Sequence, residues 1–383
     1  MQVALLPDFS EEGWPSMDLM LEMLTREYAG LAAGDFYWRE LRPPYRRFWP
    51  AAFGPGAWLR NSERLWNRFC AYPSYLKKHA AGWDVFHLLD HSYSQLVHDL
   101  PASRVMVTCH DLDTFRCLLD PAAEPRPFWF RAMARCILRG LQKARWITCP
   151  SQATRQALLQ YQIASPDRVY VIPNGVDPVC SQPVSPEAMA AARDLLPDGR
   201  GEPWLLHVGS TIPRKRMELL LQILARLRDH AVPVRLAQVG GDLTPAQEKL
   251  ARDARVRDLI YILPFIPKAA LAAVYRRAAL LVLPSRAEGF CLPLAEAQAC
   301  GLPAVVTDLP VMRETGGPVT SYLPLENVDA WTQKITDLLR ERALQPAAWQ
   351  ARSQAAQAWA HRFSWRACAG QMLDLYRQIA ASA

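Results

Sequence analysis

With 383 residues, 50% hydrophobic and 21% charged, the chain can bury a core in each of two domains of ordinary size. No apolar run reaches the roughly 20 residues that span a bilayer, and the N-terminus opens on a short strand without a basic segment ahead of a long apolar one, so no signal peptide is expected. The nine cysteines show no Cys-x-x-Cys pair and no metal-ligand spacing, which reads as free thiols in a reducing compartment, and the net charge of +7 is modest.

In chain order, Val3 to Leu6 reads as a first parallel strand and Met17 to Tyr28 as the helix after it. The loop between them holds a single glycine, Gly13, beside Trp14. Residues 37 to 83 interleave aromatics with arginines: Tyr37-Trp38-Arg39, Tyr45-Arg46-Arg47-Phe48-Trp49, Trp58-Leu59-Arg60 and Trp66-Asn67-Arg68. Rings and cations together suit a membrane interface, where rings lie at headgroup depth and cations meet anionic lipid. They also suit stacking on a sugar, and a solvated helical hairpin with core tryptophans is the plainer reading. Single-stranded nucleic acid uses similar chemistry, but no recognised nucleic-acid module frames the stretch, and no nucleic-acid partner is expected.

Asp84 to Leu89 and Arg104 to Thr108 read as the next buried strands. The second ends in Cys109-His110-Asp111-Leu112, where ligand-binding residues belong in an open α/β sheet. Phe128 to Gln142 is an amphipathic helix, Arg145 to Cys149 a strand, Ser151 a good helix N-cap, and Arg168 to Ile172 the last strand of the first half. Pro173-Asn174-Gly175-Val176-Asp177 forms a tight turn. Pro178 to Pro203, with five prolines and a short helix near Glu187 to Leu195, reads as a domain linker. Trp204 to Val208 then opens a second half, and the loop from Gly209 brings Arg214 and Lys215 to a strand's carboxyl edge. Two cations there can neutralise a diphosphate. Val234 to Val239 and Tyr261 to Leu263 are further strands, and Ala330 to Leu339 is a helix.

The most specific stretch is Leu280 to Val306. Ala279 to Leu283 is a continuous apolar run, as expected of a parallel strand covered on both faces. Pro284 stops it, Ser285 to Leu292 makes an irregular loop, Pro293 suits the first position of a helix, and Gly301 fits just past its end. Backbone N–H groups around Cys291 and Leu292 would then sit at a helix N-terminus, which attracts phosphate. Glu288 lies ahead of them and Glu296 in the first turn, one carboxylate on each side of the anion site. Each accepts hydrogen bonds from hydroxyls, so a nucleotide-sugar is the natural ligand.

Glu288-Gly-Phe-x-Leu-Pro, with Glu296 eight residues on, resembles the Glu-x7-Glu motif of retaining glycosyltransferases of family 4. The resemblance covers most of the chain outside residues 37–83. It implies an α/β protein of the GT-B fold, two Rossmann-like domains facing each other across a cleft. The expected domains are 1–178, with a closing helix in 363–383 packing back on it, and 179–362. By the same resemblance, Glu288 contacts the transferred sugar, Glu296 the ribose hydroxyls, and backbone at Phe290, Cys291 and Leu292 the diphosphate and sugar. The family's usual residue at Cys291 is glycine. His110, in a Thr-x-His-Asp-Leu stretch like the family's, faces the donor sugar, while His87 and His91 are weaker candidates to border the acceptor. Gly13 stands where relatives carry a Gly-Gly pair. The loop from Gly209 to Arg216 looks like the Pro-Arg-Lys loop of one branch, which often transfers mannose.

The reaction expected is transfer of a hexose from a nucleoside diphosphate to a hydroxyl of a glycan or lipid-linked saccharide, with retention, giving an α-linkage. No Asp-x-Asp motif lies near the phosphate loop, so no metal and no cofactor are expected. The nucleotide-sugar is itself a substrate, GDP-, UDP- or ADP-linked, with GDP-mannose preferred. Alternatives are a UDP-glucose-type glucosyltransferase and an idle nucleotide-sugar-binding scaffold. The expected location is cytoplasmic, peripheral at the inner membrane face if residues 37–83 make that contact.

Overall fold

The computed structural model describes residues 1–31, 36–48, 57–198 and 201–382. The chain divides into two compact units, Met1–Gly175 with Trp365–Ala383, and Val176–Ser364. In each, short runs of apolar residues form the central strands, buried on both faces, which is why those carry no regular polar alternation.

The first unit contains β1 (Gln2–Leu6), β2 (Tyr37–Glu40), β3 (Val85–Leu88), β4 (Val105–Thr108), β5 (Trp146–Cys149) and β6 (Val169–Val171). They pair in parallel in the order β2-β1-β3-β4-β5-β6. Its core joins Leu6, Phe86, Leu88, Val105, Val107 and Ile147 to Ile137 and Leu141 of a helix over Phe128–Lys143. The C-terminal helix, Trp365–Ser382, belongs to this unit and buries Trp365, Met372, Leu375, Tyr376 and Ile379.

The second unit contains β7 (Trp204–Val208), β8 (Arg235–Val239), β9 (Ile260–Leu263), β10 (Leu280–Leu283), β11 (Ala304–Thr307) and β12 (Ser321–Leu323). Its parallel order is β12-β11-β10-β7-β8-β9. The core gathers Leu205, Leu236, Leu280, Val282 and Val305 with Leu220, Leu224, Trp331 and Ile335 from covering helices.

Three segments depart from the sequence reading. Tyr37-Trp38-Arg39 is part of a strand, with Val3 opposite Trp38, so the aromatic run begins in a sheet edge and not in a helical hairpin. The proline-rich stretch expected as a linker is built into the second unit: its helix, Pro186–Leu195, packs on the helix Lys268–Arg277, and Arg277 donates to the Leu196 carbonyl at 2.5 Å. Ser321–Leu323 adds an edge strand too short and polar to stand out in the sequence.

Candidate active site

Strand order decides where ligands bind in an open parallel sheet. They sit at the carboxyl ends, where connections leave in opposite directions from adjacent strands. In the second unit that switch point lies between β7 and β10. The loop after β7 carries Gly209, Arg214 and Lys215, and the loop after β10 carries Glu288, so residues more than seventy positions apart meet.

Lys215 is only 7% exposed, and its Nζ donates to Glu288 Oε1 at 2.6 Å. Arg214 donates from one guanidinium nitrogen to Glu288 Oε2 at 3.1 Å and to the Ala287 carbonyl at 3.0 Å. Burial raises the Glu288 pKa, but Lys215 and then Arg214 outweigh it and hold the carboxyl below its ordinary value. Glu288 therefore stays ionised, as a pure hydrogen-bond acceptor. Two cations and one carboxylate leave this trio with a net positive charge, as an anionic ligand requires. Gly209 suits this loop through its backbone, since its φ of +149° is one that side-chain-bearing residues rarely adopt; a Cβ there would make only ordinary contacts, with Lys215 Cε at 3.4 Å and His207 Cε1 at 3.7 Å.

A pair missed in the sequence holds that loop from below. His207 and Gln238 are opposite each other in the β7–β8 register and both fully buried. Burial pushes the His207 pKa down to about 4, so neutral His207 donates from Nδ1 to Gln238 Oε1 at 2.5 Å. The Gln238 amide is thereby oriented to donate to the Gly209 carbonyl at 2.7 Å. The available signal was two polar residues inside otherwise apolar strands.

Phe290, Cys291 and Leu292 lead into the helix Leu292–Ala299, with proline in its first turn. Cys291, the N-cap, has φ 65° and ψ 62°, the left-handed conformation that glycine adopts without cost. Its thiol is buried, and burial pushes its pKa up. Thr315 donates to the Phe290 carbonyl, and the Phe290 ring packs edge-on against Phe363 at 5.2 Å. Glu296, one turn along, accepts from the Tyr275 hydroxyl at 2.9 Å. Burial raises its pKa to about 7, Asp177 adding to the rise against the opposing Tyr275 bond and Lys268. Tyr275 had no local sequence signal, since only tertiary packing brings its helix to Glu296.

His110 and Gly13 belong to the first unit. Its switch point lies between β1 and β3, and the loops there carry Asp8, Asp90 and His91. Asp8 is buried; burial, then Asp90, push its pKa up to about 7 against a hydrogen bond from its own backbone N–H. Asp90 pairs with His91 at 3.2 Å. His110, at the end of β4, donates from Nε2 to the Leu89 carbonyl at 2.7 Å, which leaves Nδ1 as an acceptor. Burial lowers its pKa, so the ring is neutral. Gly13 closes a short turn in the left-handed region at φ 72°. His87 is internal to the fold: fully buried, it bridges Tyr376 Oη at 2.6 Å and Thr108 Oγ1 at 2.7 Å, and burial pushes its pKa down to about 3.

In the aromatic stretch, Arg46 lies over the Trp66 ring, Phe48 packs edge-on against Trp66, and Tyr37 stacks on Trp83. Arg68 pairs with buried Glu12 and covers Tyr93. Trp49 and the side chain of Trp58 lie outside the described residues.

Comparison with known proteins matches residues 25–179 to the family described as Glycosyltransferase Family 4 and residues 202–341 to the one described as Glycosyl transferases group 1. A D-inositol 3-phosphate glycosyltransferase of Segniliparus rotundus is 31% identical over 346 residues, covering 85% of this chain and 73% of that protein. Four more proteins of that name are 32–35% identical, and this chain spans 49–58% of their length. An O-antigen chain mannosyltransferase B from Escherichia coli is 26% identical over 72% of this chain and 71% of its own. Among solved structures, Anabaena HepE in complex with UDP-glucose aligns over 99% of this chain and all of its own, with a TM-score of 0.74 at 16% identity, a likeness of fold. The two six-stranded units are those of the GT-B architecture, and this chain belongs to the glycosyltransferases of family 4.

Proposed function

We propose that this glycosyltransferase moves a hexose from a nucleoside diphosphate sugar to an acceptor hydroxyl with retention of configuration, forming an α-linkage. The observation that carries this reading is the Arg214–Lys215–Glu288 trio at the second unit's switch point, beside the N-terminus of Leu292–Ala299. Diphosphate bound there meets two cations and free backbone donors, which stabilise it as it leaves. Ionised Glu288 accepts hydrogen bonds from the hexose, Glu296 from the ribose, and His110 Nδ1 from a sugar hydroxyl. No side chain is assigned as general base, because the departing phosphate can take the acceptor's proton on the same face. The cations take the charge-neutralising role, so neither a metal nor a cofactor enters this scheme.

Mannose from GDP-mannose is the preferred donor, supported by the Pro213-Arg214-Lys215 loop and by the mannosyltransferase relative. UDP-glucose is the second reading, supported by HepE. The acceptor is a hydroxyl of a glycan or lipid-linked saccharide at the cytoplasmic membrane face, bound at the first unit's switch point. The inositol-phosphate relatives favour a phosphorylated cyclitol as the competing acceptor. Thermal-shift measurements with GDP, UDP, ADP and dTDP, with and without EDTA, test the donor. Stabilisation by one nucleotide, unchanged by EDTA, supports the metal-free scheme and fixes the base; loss of the shift in EDTA overturns that scheme. No shift at millimolar nucleotide favours an idle scaffold.

A further inference from the structure

The helix Phe128–Lys143 has a face that the fold does not use. Ala134, Ile137, Gly140 and Leu141 turn inward. On the other side run Arg131, Arg135, Arg139 and Lys143, one every fourth residue. In an α-helix that spacing drifts by about 40° per step, so the four cations form one slanted row. The helix contains no acidic residue. None of the four makes an ion pair among the described residues; the one contact made by Lys143 is a long hydrogen bond to the Val97 carbonyl at 3.5 Å. Other surface cations do find carboxylates, as Arg313 does with Asp308 and Arg352 with Glu341.

The same face begins with two of the most exposed large apolar side chains of the protein. Phe128 is 80% and Trp129 59% exposed. Phe128 lies three residues before Arg131 and seven before Arg135, which places it on the line of the cation row. Phe265 is more exposed, but it stands in a loop without such a row. Rings that cost free energy in water, set at one end of an unpaired basic row, match a surface with an apolar interior and an anionic skin.

We propose that this helix lies flat on an anionic lipid bilayer, with Phe128 and Trp129 at the acyl–headgroup boundary and the four cations among the lipid phosphates. At sixteen residues it is about 24 Å long, enough to span several headgroups in the plane. None of the helices among the described residues is long and apolar enough to cross a membrane, so contact through this face is interfacial. It places on this helix the membrane contact that was one reading of residues 37–83, where Tyr37 and Phe48 are half exposed but pack on Trp83 and Trp66. The proposal does not depend on the identity of donor or acceptor.

The test is flotation of the full-length chain with vesicles of phosphatidylcholine alone or with one third phosphatidylglycerol. The chain should float with the anionic vesicles only, and added salt should weaken the association. Arg135→Gln with Arg139→Gln should lower the partition coefficient by about thirtyfold. Phe128→Ser with Trp129→Ser should lower it further in high salt than in low, because apolar insertion is the part that salt does not screen. Both variants should keep the melting temperature of the parent chain, since neither pair is in the core. Failure of the parent chain to float with anionic vesicles overturns the proposal, as does unchanged flotation of both variants. Tighter binding to an oligonucleotide than to the vesicles, abolished by the same arginine substitutions, would assign the row to a polyanion instead.

Discussion

Lys215 and Glu288 make opposite predictions although they share one ion pair. Glu288 is the negative member of the trio proposed to bind the diphosphate, so Glu288→Gln removes a repulsive charge while preserving shape. Nucleoside diphosphate should bind as tightly as before or tighter, while turnover falls by about a hundredfold or more, because the hexose exchanges a charged acceptor for a neutral, weaker one. Calorimetric titration and a transfer assay on the same preparation check both halves; wild-type turnover would remove Glu288 from the chemistry. Lys215→Ala takes a cation from the phosphates and leaves buried Glu288 leaning on Arg214 alone. Diphosphate affinity should fall by roughly tenfold or more, and unchanged affinity would place Lys215 outside the phosphate site. Glu296 adds a pH signature. Its pKa is raised from 4.5 to about 7, so its neutral form is favoured by the fold; the associated stability is full below about pH 4.5 and lost as pH rises through 7. Glu296→Gln keeps an oxygen to accept from Tyr275 and cannot ionise. It should stabilise the unliganded protein at pH 8 by up to about 3 kcal/mol, with the gain vanishing near pH 4.5. Urea titrations across that range check it, and a pH-independent difference would show that Glu296 does not titrate this way.

At the scale of the element, the strand–loop–helix from Leu280 to Ala299 was legible because every boundary carries a local cause. An apolar run buried on both faces makes the strand, Pro284 ends it, and proline opens the helix. What the sequence left open was the conformation of Cys291. The structure gives the reason that glycine is usual there: the residue is left-handed, at a cost of about 1 kcal/mol or more for any side chain. Cys291→Gly should relieve that strain but gives back chain entropy on unfolding, so the net gain is under about 1 kcal/mol. Cys291→Val, whose branched Cβ tolerates the conformation least, should cost more than about 1 kcal/mol. Under the proposed reading the loop binds through backbone N–H groups, so Cys291→Gly should leave nucleotide affinity nearly unchanged. Chemical denaturation and nucleotide titration of the two variants separate strain from binding. Elements defined by partners were not legible. Tyr37–Glu40 reads as an aromatic–basic run until β1 pairs with it, and the Pro186–Leu195 helix looks like a linker until the Lys268–Arg277 helix covers it. The Gln238 support of Gly209 depends on β7–β8 register, which no single strand reveals.

At the scale of the whole molecule, the chain leaves its first unit at Gly175 and returns to it at Trp365, so that unit is completed by residues from the far end of the sequence. The return is held by buried polar contacts as well as by packing. Tyr376 shares hydrogen bonds with Tyr28 at 2.9 Å and with His87 at 2.6 Å, and all three side chains are fully buried. Gly175 lies directly against the start of that helix. A Cβ there would lie 2.1 Å from the Trp365 backbone nitrogen and 2.5 Å from its Cα, contacts with main chain that no rotamer change relieves. Reading Pro173-Asn174-Gly175 as a tight turn accounts for its sequence but not for this second demand on the glycine. Gly175→Ala must therefore push the start of the Trp365–Ser382 helix off the first unit, at a cost of about 3 kcal/mol or more. The second unit has its own core and carries the proposed nucleotide-binding residues. Protease digestion of the variant should open the first unit and its C-terminal helix, while nucleoside diphosphate still protects a fragment spanning residues 176–364. Equal loss of protection in both units would mean that they fold as one cooperative body, and parent-like resistance throughout would show that the backbone at Gly175 yields more readily than a contact of 2.1 Å permits.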